Sequence, residues 1–282
     1  MKLASYMHQD AACYGSVVGD GVIDLSRRIG ARYRDLRALL AEGGLAQARN
    51  ACAGQMPELK LAEVKLLPVI PNPGKIFCIG LNYDDHRKEG KHEKTEAPAV
   101  FVRFAESQVG HGQPMLRPRE SKKFDYEGEI ALIIGKNGRR IAQQDAWAYV
   151  AGYSCYNDGS VRDWQHATSQ WTAGKNFAST GSFGPWMVTA DEIAPGSVLT
   201  LTTRLNGVEM QRSTTEFLIH SIPRLISHLS TWVPLAPGDV IVSGTPGGVG
   251  ARRDPPVWMQ PGDVIEVEVD RVGVLSNTIA DD

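Results

Sequence analysis

The sequence predicts a β-rich protein of mixed α+β class. Short apolar segments rich in Ile, Leu and Val recur along the 282 residues, and Gly, Pro and Asn turns separate them, which is typical of strands. Two stretches, 33–41 and 215–232, instead space their apolar residues as a core-facing helix does. Hydrophobic residues make up 42% of the chain and charged residues 22%, as in ordinary globular proteins.

Composition excludes several classes of partner. The net charge of -2 gives no field that would gather nucleic acid or an acidic membrane surface. The four cysteines are far apart without a C-x-x-C pair, which predicts free thiols in a reducing compartment. The N-terminus lacks the apolar core of a signal peptide, and no run of about 18 apolar residues occurs. We therefore expect a cytoplasmic protein with neither nucleic-acid nor membrane partners.

A domain boundary is predicted near residue 70. Residues 66–74 contain three prolines, which favour an extended linker. Before it, Gly-interrupted strands precede the helix at 33–41, so residues 1–70 are predicted to form a small N-terminal α+β domain and residues 71–282 the main domain.

Strand and turn signals alternate through the main domain. Asn206-Gly207 predicts a tight hairpin between two strands. Two Pro-Gly-Asp turns, at 237–239 and 261–263, each lead into an apolar strand. The other segments with strand character are 75–81, 98–104 and 147–156.

Glu127 and Glu129 form the most informative pair in the chain. They precede the apolar run 130–134, and side chains two apart on a strand lie on the same face. Adjacent buried carboxylates repel each other, so they need a cation or a shared proton. Oxygen ligands favour Mg²⁺, Mn²⁺ or Ca²⁺. The alternative is a strand end whose two carboxylates face water.

Further candidates each have an ordinary structural reading. Asp158 follows a predicted buried strand and supplies either a third carboxylate or only a turn. His86 and Glu89 share a face if their segment is helical, but they could be an exposed pair. Lys175 could simply be solvated. Glycines of the loop 244–250 permit close approach of an anion or form a tight corner.

Five motifs follow one another in an order that resembles the fumarylacetoacetate hydrolase family, in particular its acylpyruvase and 2-oxo-hept-3-ene-dioate hydratase-isomerase branch. The resemblance extends from about residue 75 to the C-terminus. The motifs are Gly80-Leu81-Asn82-Tyr83 with His86 and Glu89, Asp125-Tyr126-Glu127-Gly128-Glu129, Asn157-Asp158 with Arg162-Asp163-Trp164-Gln165, Gly174-Lys175, and Ser243-Gly244-Thr245-Pro246-Gly247-Gly248-Val249-Gly250.

The resemblance implies a mixed β-roll catalytic domain after a small N-terminal domain, in a homodimer. It also implies one Mg²⁺ or Mn²⁺ per subunit, bound by Glu127, Glu129 and Asp158. This assignment makes Asp158 a ligand as well as a turn residue. The chain departs from the expected pattern at Gly159, where we expect a branched apolar residue, so its wall beside the metal is predicted to be looser.

The resemblance also implies roles around the metal. His86, oriented by Glu89, would be the base, on a lid that spans residues 84–96. Lys175 would donate a hydrogen bond or proton to a developing oxyanion, and Gln165 would position water or substrate. The predicted substrate-binding residues are Arg103, Ser107, Gly244 and Thr245.

These roles predict a hydrolase that cleaves a carbon–carbon bond in an acylpyruvate or another β-diketo acid. The metal would stabilise the enolate, and the pair of His86 and Glu89 would activate water. The alternative is a lyase or isomerase on 2-oxo acids: an oxaloacetate-type decarboxylase, a 2-oxo-alkenoate hydratase or a tautomerase. A protein that only binds metal or a sugar acid is a third possibility, which the full set of candidate residues disfavours.

Overall fold

The computed structural model describes residues 1–90, 93 and 95–282, and strands predominate in it. The first strands are β1 Lys2–His8, β2 Ala11–Val18, β3 Gly21–Asp24, β4 Leu59–Lys60, β5 Lys65–Leu66, β6 Ile76–Gly80, β7 Ala99–Arg103, β8 Gln108–Val109, β9 Met115–Arg117 and β10 Phe124–Asp125. The others are β11 Gly128–Ile134, β12 Val150–Asn157, β13 Ser160–Val161, β14 Gly181–Thr189, β15 Thr200–Leu205, β16 Val208–Thr214, β17 Val240–Val242, β18 Val264–Val269 and β19 Gly273–Asp281.

Helices are short and few by comparison, which confirms the predicted mixed, β-rich α+β class. They are α1 Leu25–Ile29, α2 Leu36–Ala41, α3 Leu45–Cys52, α4 Asp84–Glu89, α5 Arg162–Gln165, α6 Thr172–Lys175 and α7 Ile222–Trp232. No helix within the described ranges has both the length and the apolar character that crossing a membrane requires.

One large sheet organises the molecule. Its hydrogen-bonded order is β4-β3-β2-β1-β14-β12-β11-β17-β6-β7, with β5 beside β1 and β8 beside β14. Neighbours are antiparallel except for β17 with β6 and β14 with β8. A second sheet has the order β16-β15-β18-β19-β9, and β10 pairs with β13.

Strand β11 lies in the middle of the large sheet, and all seven of its residues are buried. Its side chains alternate between two hydrophobic cores. Ile130, Leu132 and Ile134 face a core shared with α7 and the second sheet. Ala131 and Ile133 face the core beneath α2. This burial on both faces explains why the run is continuously apolar.

The N-terminal segment continues the large sheet. Lys2 of β1 pairs with Val188 of β14, so a hydrogen-bonded ladder connects residues 1–70 to the main domain. The division into 1–70 and 71–282 remains a prediction about separate folding units.

Element boundaries differ from the predictions at several places. Residues 147–149 are the end of a 3₁₀ helix and not part of β12. Helix α2 begins at Leu36, three residues after the start of the predicted segment 33–41. The predicted helix 215–232 is a 3₁₀ turn at 215–217 followed by α7, because Pro223 is compatible only with the start of a helix.

Candidate active site

Glu127, Glu129 and Asp158 converge at the end of β11. Glu127 lies just before β11, Glu129 lies within it, and Asp158 follows β12. The N–H of Asp158 donates to the carbonyl oxygen of Glu127 at 2.8 Å, which extends the β11–β12 ladder. One oxygen from each carboxylate lies within 4.8 Å of the others, and all three residues are buried. Chain positions 127, 129 and 158 thus form one acidic centre.

Buried cations surround two of the three carboxylates. Lys175 Nζ lies 2.7 Å from Glu127 Oε2 and 2.8 Å from Asp158 Oδ2. Arg162 Nη1 lies 2.6 Å from Glu127 Oε1. Arg103 forms a buried ion pair with the other oxygen of Asp158. The lysine is therefore not solvated, and its third N–H can donate into the cavity that it lines.

The pKa values of Glu127 and Glu129 are shifted in opposite directions. Burial raises the pKa of Glu127, but the charges of Lys175 and Arg162 more than offset it, so this pKa is below its usual value. Burial and the charges of Asp158 and Glu127 hold the pKa of Glu129 well above its usual value. Glu129 is stabilised locally by the N–H of Gly244.

This donor set fits a hard divalent cation. Three carboxylate oxygens are the ligand type that Mg²⁺ and Mn²⁺ prefer. The pKa of Glu129 is raised first by burial and then by repulsion from Asp158 and Glu127, which Lys175 does not fully offset. A divalent ion at Glu127, Glu129 and Asp158 would relieve that repulsion.

His86 and Glu89 share a face of α4, as their spacing predicted. His86 Nδ1 lies 3.7 Å from Glu89 Oε2, which would be an ion-pair contact only with a protonated imidazole and is too long for a hydrogen bond. Glu89 accepts hydrogen bonds from the N–H of Gly248 at 2.9 and 3.1 Å. Burial raises the pKa of Glu89, but His86 and the Gly248 N–H outweigh burial and lower it overall. Residues 91, 92 and 94 of the predicted lid lie outside the described residues.

One cavity of about 310 Å³ is lined by three of the four predicted catalytic residues, and Glu89 is not among its lining residues. Its lining contains His86, Glu127, Glu129, Lys175 and Gln165, while Asp158 lies behind them. The base candidate and the carboxylate centre therefore face the same space.

Three predicted substrate contacts have other roles. Arg103 is buried and bonds to Asp158, the carbonyl oxygen of Gly159 and the hydroxyl of Thr180, and it does not line the cavity. Ser107 accepts a hydrogen bond from Arg103 Nε. Both residues thus support Asp158 from behind, which corrects the prediction that they contact substrate. The N–H of Gly244 is likewise committed to Glu129.

Thr245 does line the cavity, but its hydroxyl hydrogen is already used. It donates to the carbonyl oxygen of Gly128 at 2.9 Å and accepts from Gln211 Nε2 at 2.8 Å. A contact between Thr245 and a substrate anion would therefore use its backbone N–H. Gln165 also lines the cavity, and its Oε1 accepts a hydrogen bond from Arg162.

The predicted loosening at Gly159 is wrong. A Cβ atom there would lie 1.9 Å from the carbonyl oxygen of Thr180 and 2.8 Å from Met115 Cε. The glycine thus permits close packing beside Asp158 and opens no space.

Sequence reasoning gave no role to Arg162 and Asp125, although both lie inside the motifs. Asp125 is fully buried and accepts hydrogen bonds from Arg162 and from the N–H groups of Gly250 and Ala251. The motifs did contain one signal for these roles. They bring together four acidic residues, and so much buried negative charge needs buried cations as well as a metal. The four residues are Asp125, Glu127, Glu129 and Asp158.

Comparison with known proteins places the chain in a family. The family profile described as Fumarylacetoacetate (FAA) hydrolase C-terminal matches residues 75–280. Oxaloacetate tautomerase Fahd2a, mitochondrial, of Rattus norvegicus is 38% identical over 267 residues, which cover 94% of this chain and 85% of that protein. Maleylpyruvate hydrolase from Sphingobium sp. SYK-6, in complex with manganese (II) ion and pyruvate, has a TM-score of 0.83 and 29% identity over 100% of this chain and 99% of that one. The solved 5-carboxymethyl-2-hydroxymuconate delta-isomerase from Mycobacterium smegmatis has a TM-score of 0.78 and 28% identity over 100% of both chains. The predicted resemblance is thus confirmed, and the chain belongs to the fumarylacetoacetate hydrolase family.

Proposed function

We propose that this protein is a divalent-metal-dependent tautomerase that interconverts the keto and enol forms of a 2-oxo acid related to oxaloacetate. The observation that carries the proposal is the shared cavity, which His86 lines together with Glu127 and Glu129. Proton transfer next to a ketone needs a base and a means to stabilise charge on the ketone oxygen. The 38% identity to a relative named oxaloacetate tautomerase favours this reaction.

The proposed metal ligands are Glu127, Glu129 and Asp158. A bound Mg²⁺ or Mn²⁺ would supply Lewis acidity that stabilises negative charge on the substrate oxygens. Arg103 holds one oxygen of Asp158 and the Gly244 N–H holds one oxygen of Glu129, so both carboxylates are oriented before any ligand binds.

His86 is the proposed base. Its Nδ1 faces Glu89, which the Gly248 N–H holds in place, and this leaves Nε2 to accept the proton from the carbon next to the ketone. A small movement of α4 would shorten the 3.7 Å separation into a hydrogen bond that fixes the tautomer. Glu89 thereby acts through His86.

Lys175 is the proposed partner of the ketone oxygen. As the C–H bond breaks, its electron pair moves towards that oxygen, and the Lys175 ammonium can donate the N–H that Glu127 and Asp158 do not use. Transfer of a proton from Lys175 to the oxygen completes the enol, after which His86 releases its proton to solvent and Lys175 takes one up; the reverse sequence gives the keto form.

Hydrolysis of an acylpyruvate is the second candidate. It is favoured by the solved maleylpyruvate hydrolase with manganese and pyruvate, which matches the fold at 29% identity. The same cavity would then place water beside His86, and Gln165 would help to position that water.

The deciding experiment follows enol-oxaloacetate by its ultraviolet absorbance and an acylpyruvate panel by release of carboxylic acid. Both assays are run with Mg²⁺, with Mn²⁺ and with a chelator, and CO₂ release is measured in parallel. We expect metal-dependent tautomerisation that His86→Asn lowers by about 100-fold or more. His228→Asn, on α7, is the matched control and should retain full activity.

Each alternative has its own signature. Acid release from acylpyruvates without tautomerisation would support the hydrolase, and CO₂ release from oxaloacetate would support the decarboxylase. Tautomerase activity that persists with chelator and in Glu127→Gln would overturn the metal site.

A further inference from the structure

The cavity has a second polar end. Its buried end holds Glu127, Glu129 and Lys175, whereas the exposed part of its lining contains Lys123 and Arg252. Apolar side chains also line the cavity. They include Ile79, Phe101, Trp171 and Trp258.

Lys123 and Arg252 are uncommitted cations. Within the described part of the chain, neither side chain forms an ion pair or hydrogen bond, although most arginines that line or support this site do. The neighbouring Arg253 shows the contrast, because its guanidinium donates to Tyr126, Gly248 and Met210. Arg253 therefore stabilises the fold, and Arg252 is available to a ligand.

One acidic side chain, Asp163, also lines this part of the cavity. Its Oδ1 accepts hydrogen bonds from the Ser121 hydroxyl at 2.6 Å and from the N–H of Trp164 at 3.1 Å. That carboxylate is thus already bound by protein donors, and the two uncommitted cations exceed it in charge.

The backbone that carries Arg252 is rigidly held. The buried carboxylate of Asp125 accepts hydrogen bonds from the N–H groups of Gly250 and Ala251 at 2.8 and 3.0 Å. A side chain at 250 would clash with the carbonyl oxygen of Val257, at 1.9 Å from a Cβ atom. The 3₁₀ turn Gly250–Arg252 is therefore anchored from below, and Arg252 lies on its cavity side.

We propose that Arg252, assisted by Lys123, binds the second carboxylate of the substrate, so that the enzyme prefers 2-oxo dicarboxylates to 2-oxo monocarboxylates. This inference rests on the proposed function, in which the 2-oxo acid end of the substrate lies at Glu127, Glu129 and Asp158. A guanidinium binds a carboxylate with two parallel hydrogen bonds, and that specificity suits a site open to water.

The test compares two substrates that differ only at this group: oxaloacetate and 2-oxobutanoate, in which a methyl group replaces the second carboxylate. Exchange of the protons next to the ketone for deuterium is followed by NMR with Mn²⁺-loaded enzyme, corrected for the uncatalysed rate. We expect Arg252→Gln to lower the oxaloacetate preference, as a ratio of kcat/KM values, by about tenfold, mainly through KM. Arg252→Lys should restore part of the ratio, and exposed Arg139→Gln should leave it unchanged.

Binding is measured separately, so that a missing activity does not hide the answer. Calorimetry with the same Mn²⁺-loaded variants compares 2-oxoglutarate with 2-oxopentanoate, a pair with the same difference. If Arg252→Gln loses the binding preference for 2-oxoglutarate, the inference is supported even when no substrate turns over. Absence of turnover would contradict only the proposed reaction. Equal effects on both members of a pair, or no effect on either, would overturn the role of Arg252.

Discussion

Charge at the residue scale explains why this site would bind a metal and then an anion. Among the described residues, four buried carboxylates lie against three buried cations, which leaves one negative charge. These residues are Asp125, Glu127, Glu129 and Asp158, with Arg103, Arg162 and Lys175. Burial, and after it the charges of Asp158 and Glu127, raises the pKa of Glu129. A divalent cation reverses it to one positive charge, which a carboxylate substrate neutralises.

Gly159 provides a test of packing beside Asp158. We expect Gly159→Ala to lower the free energy of unfolding by about 2–3 kcal/mol, because its Cβ would overlap backbone at Thr180, which cannot rotate away. Chemical denaturation measures the change. Gly184→Ala is the control, since its Cβ would have only ordinary contacts at 3.4 Å and beyond. Equal stability of both variants would contradict the packing argument.

Glu89 provides a test of orientation. Glu89→Gln keeps the shape of the side chain but removes the charge that faces His86 Nδ1. We expect kcat to fall by about 10- to 100-fold with little change in KM, since Glu89 acts through the base. Steady-state kinetics measures the split. Asp84→Asn, on the same helix, should change neither value appreciably, and an effect of Glu89→Gln on KM alone would contradict the orienting role.

At the scale of elements, a hydrogen bond and an ion pair connect β3 and α1 to Glu58, in the segment before β4. Asp24 caps α1 by accepting from the N–H of Arg27, and its own N–H donates to Glu58 Oε2 at 3.1 Å. Arg28, in the same helix, forms an ion pair with Glu58. Burial raises the pKa of Glu58, but the Asp24 N–H and Arg28 more than offset burial and lower it.

This lowered pKa predicts a pH-dependent stability. Because the folded state favours the ionised form, the contribution of Glu58 is complete above its unfolded pKa and is lost as the pH falls through its folded pKa. We expect Glu58→Gln to cost about 0.5–1 kcal/mol at neutral pH and nothing in acid. Urea unfolding across pH measures this. Glu63→Gln, an exposed carboxylate, should show no comparable trend, and a Glu58→Gln deficit that grows in acid would reverse the assigned sign.

At the scale of the whole molecule, local patterns and distant contacts differ in how far they can be predicted. Strand alternation and helical spacing located Glu127, Glu129 and the pair of His86 and Glu89, because these depend on neighbours in sequence. The role of Arg103 could not be predicted from its neighbours in sequence. Arg103 is the last residue of β7, which lies at the edge of the large sheet, and it contacts Asp158, 55 positions away. Pairing of β1 with β14 could not be predicted either, because no local signal specifies that Lys2 pairs with Val188, 186 positions away.

The carboxylates that would hold the metal join two adjacent interior strands of the large sheet, so metal binding should stabilise the whole fold. Glu127 and Glu129 flank the start of β11, and Asp158 follows the end of β12. These carboxylates converge only in the folded chain, so a metal at about 100 times its Kd should raise the free energy of unfolding by about 2.7 kcal/mol. Thermal and urea unfolding with Mn²⁺ or chelator measure the gain. Glu127→Gln should reduce it sharply and exposed Glu120→Gln should retain it, whereas an equal gain in both variants would place the bound metal elsewhere.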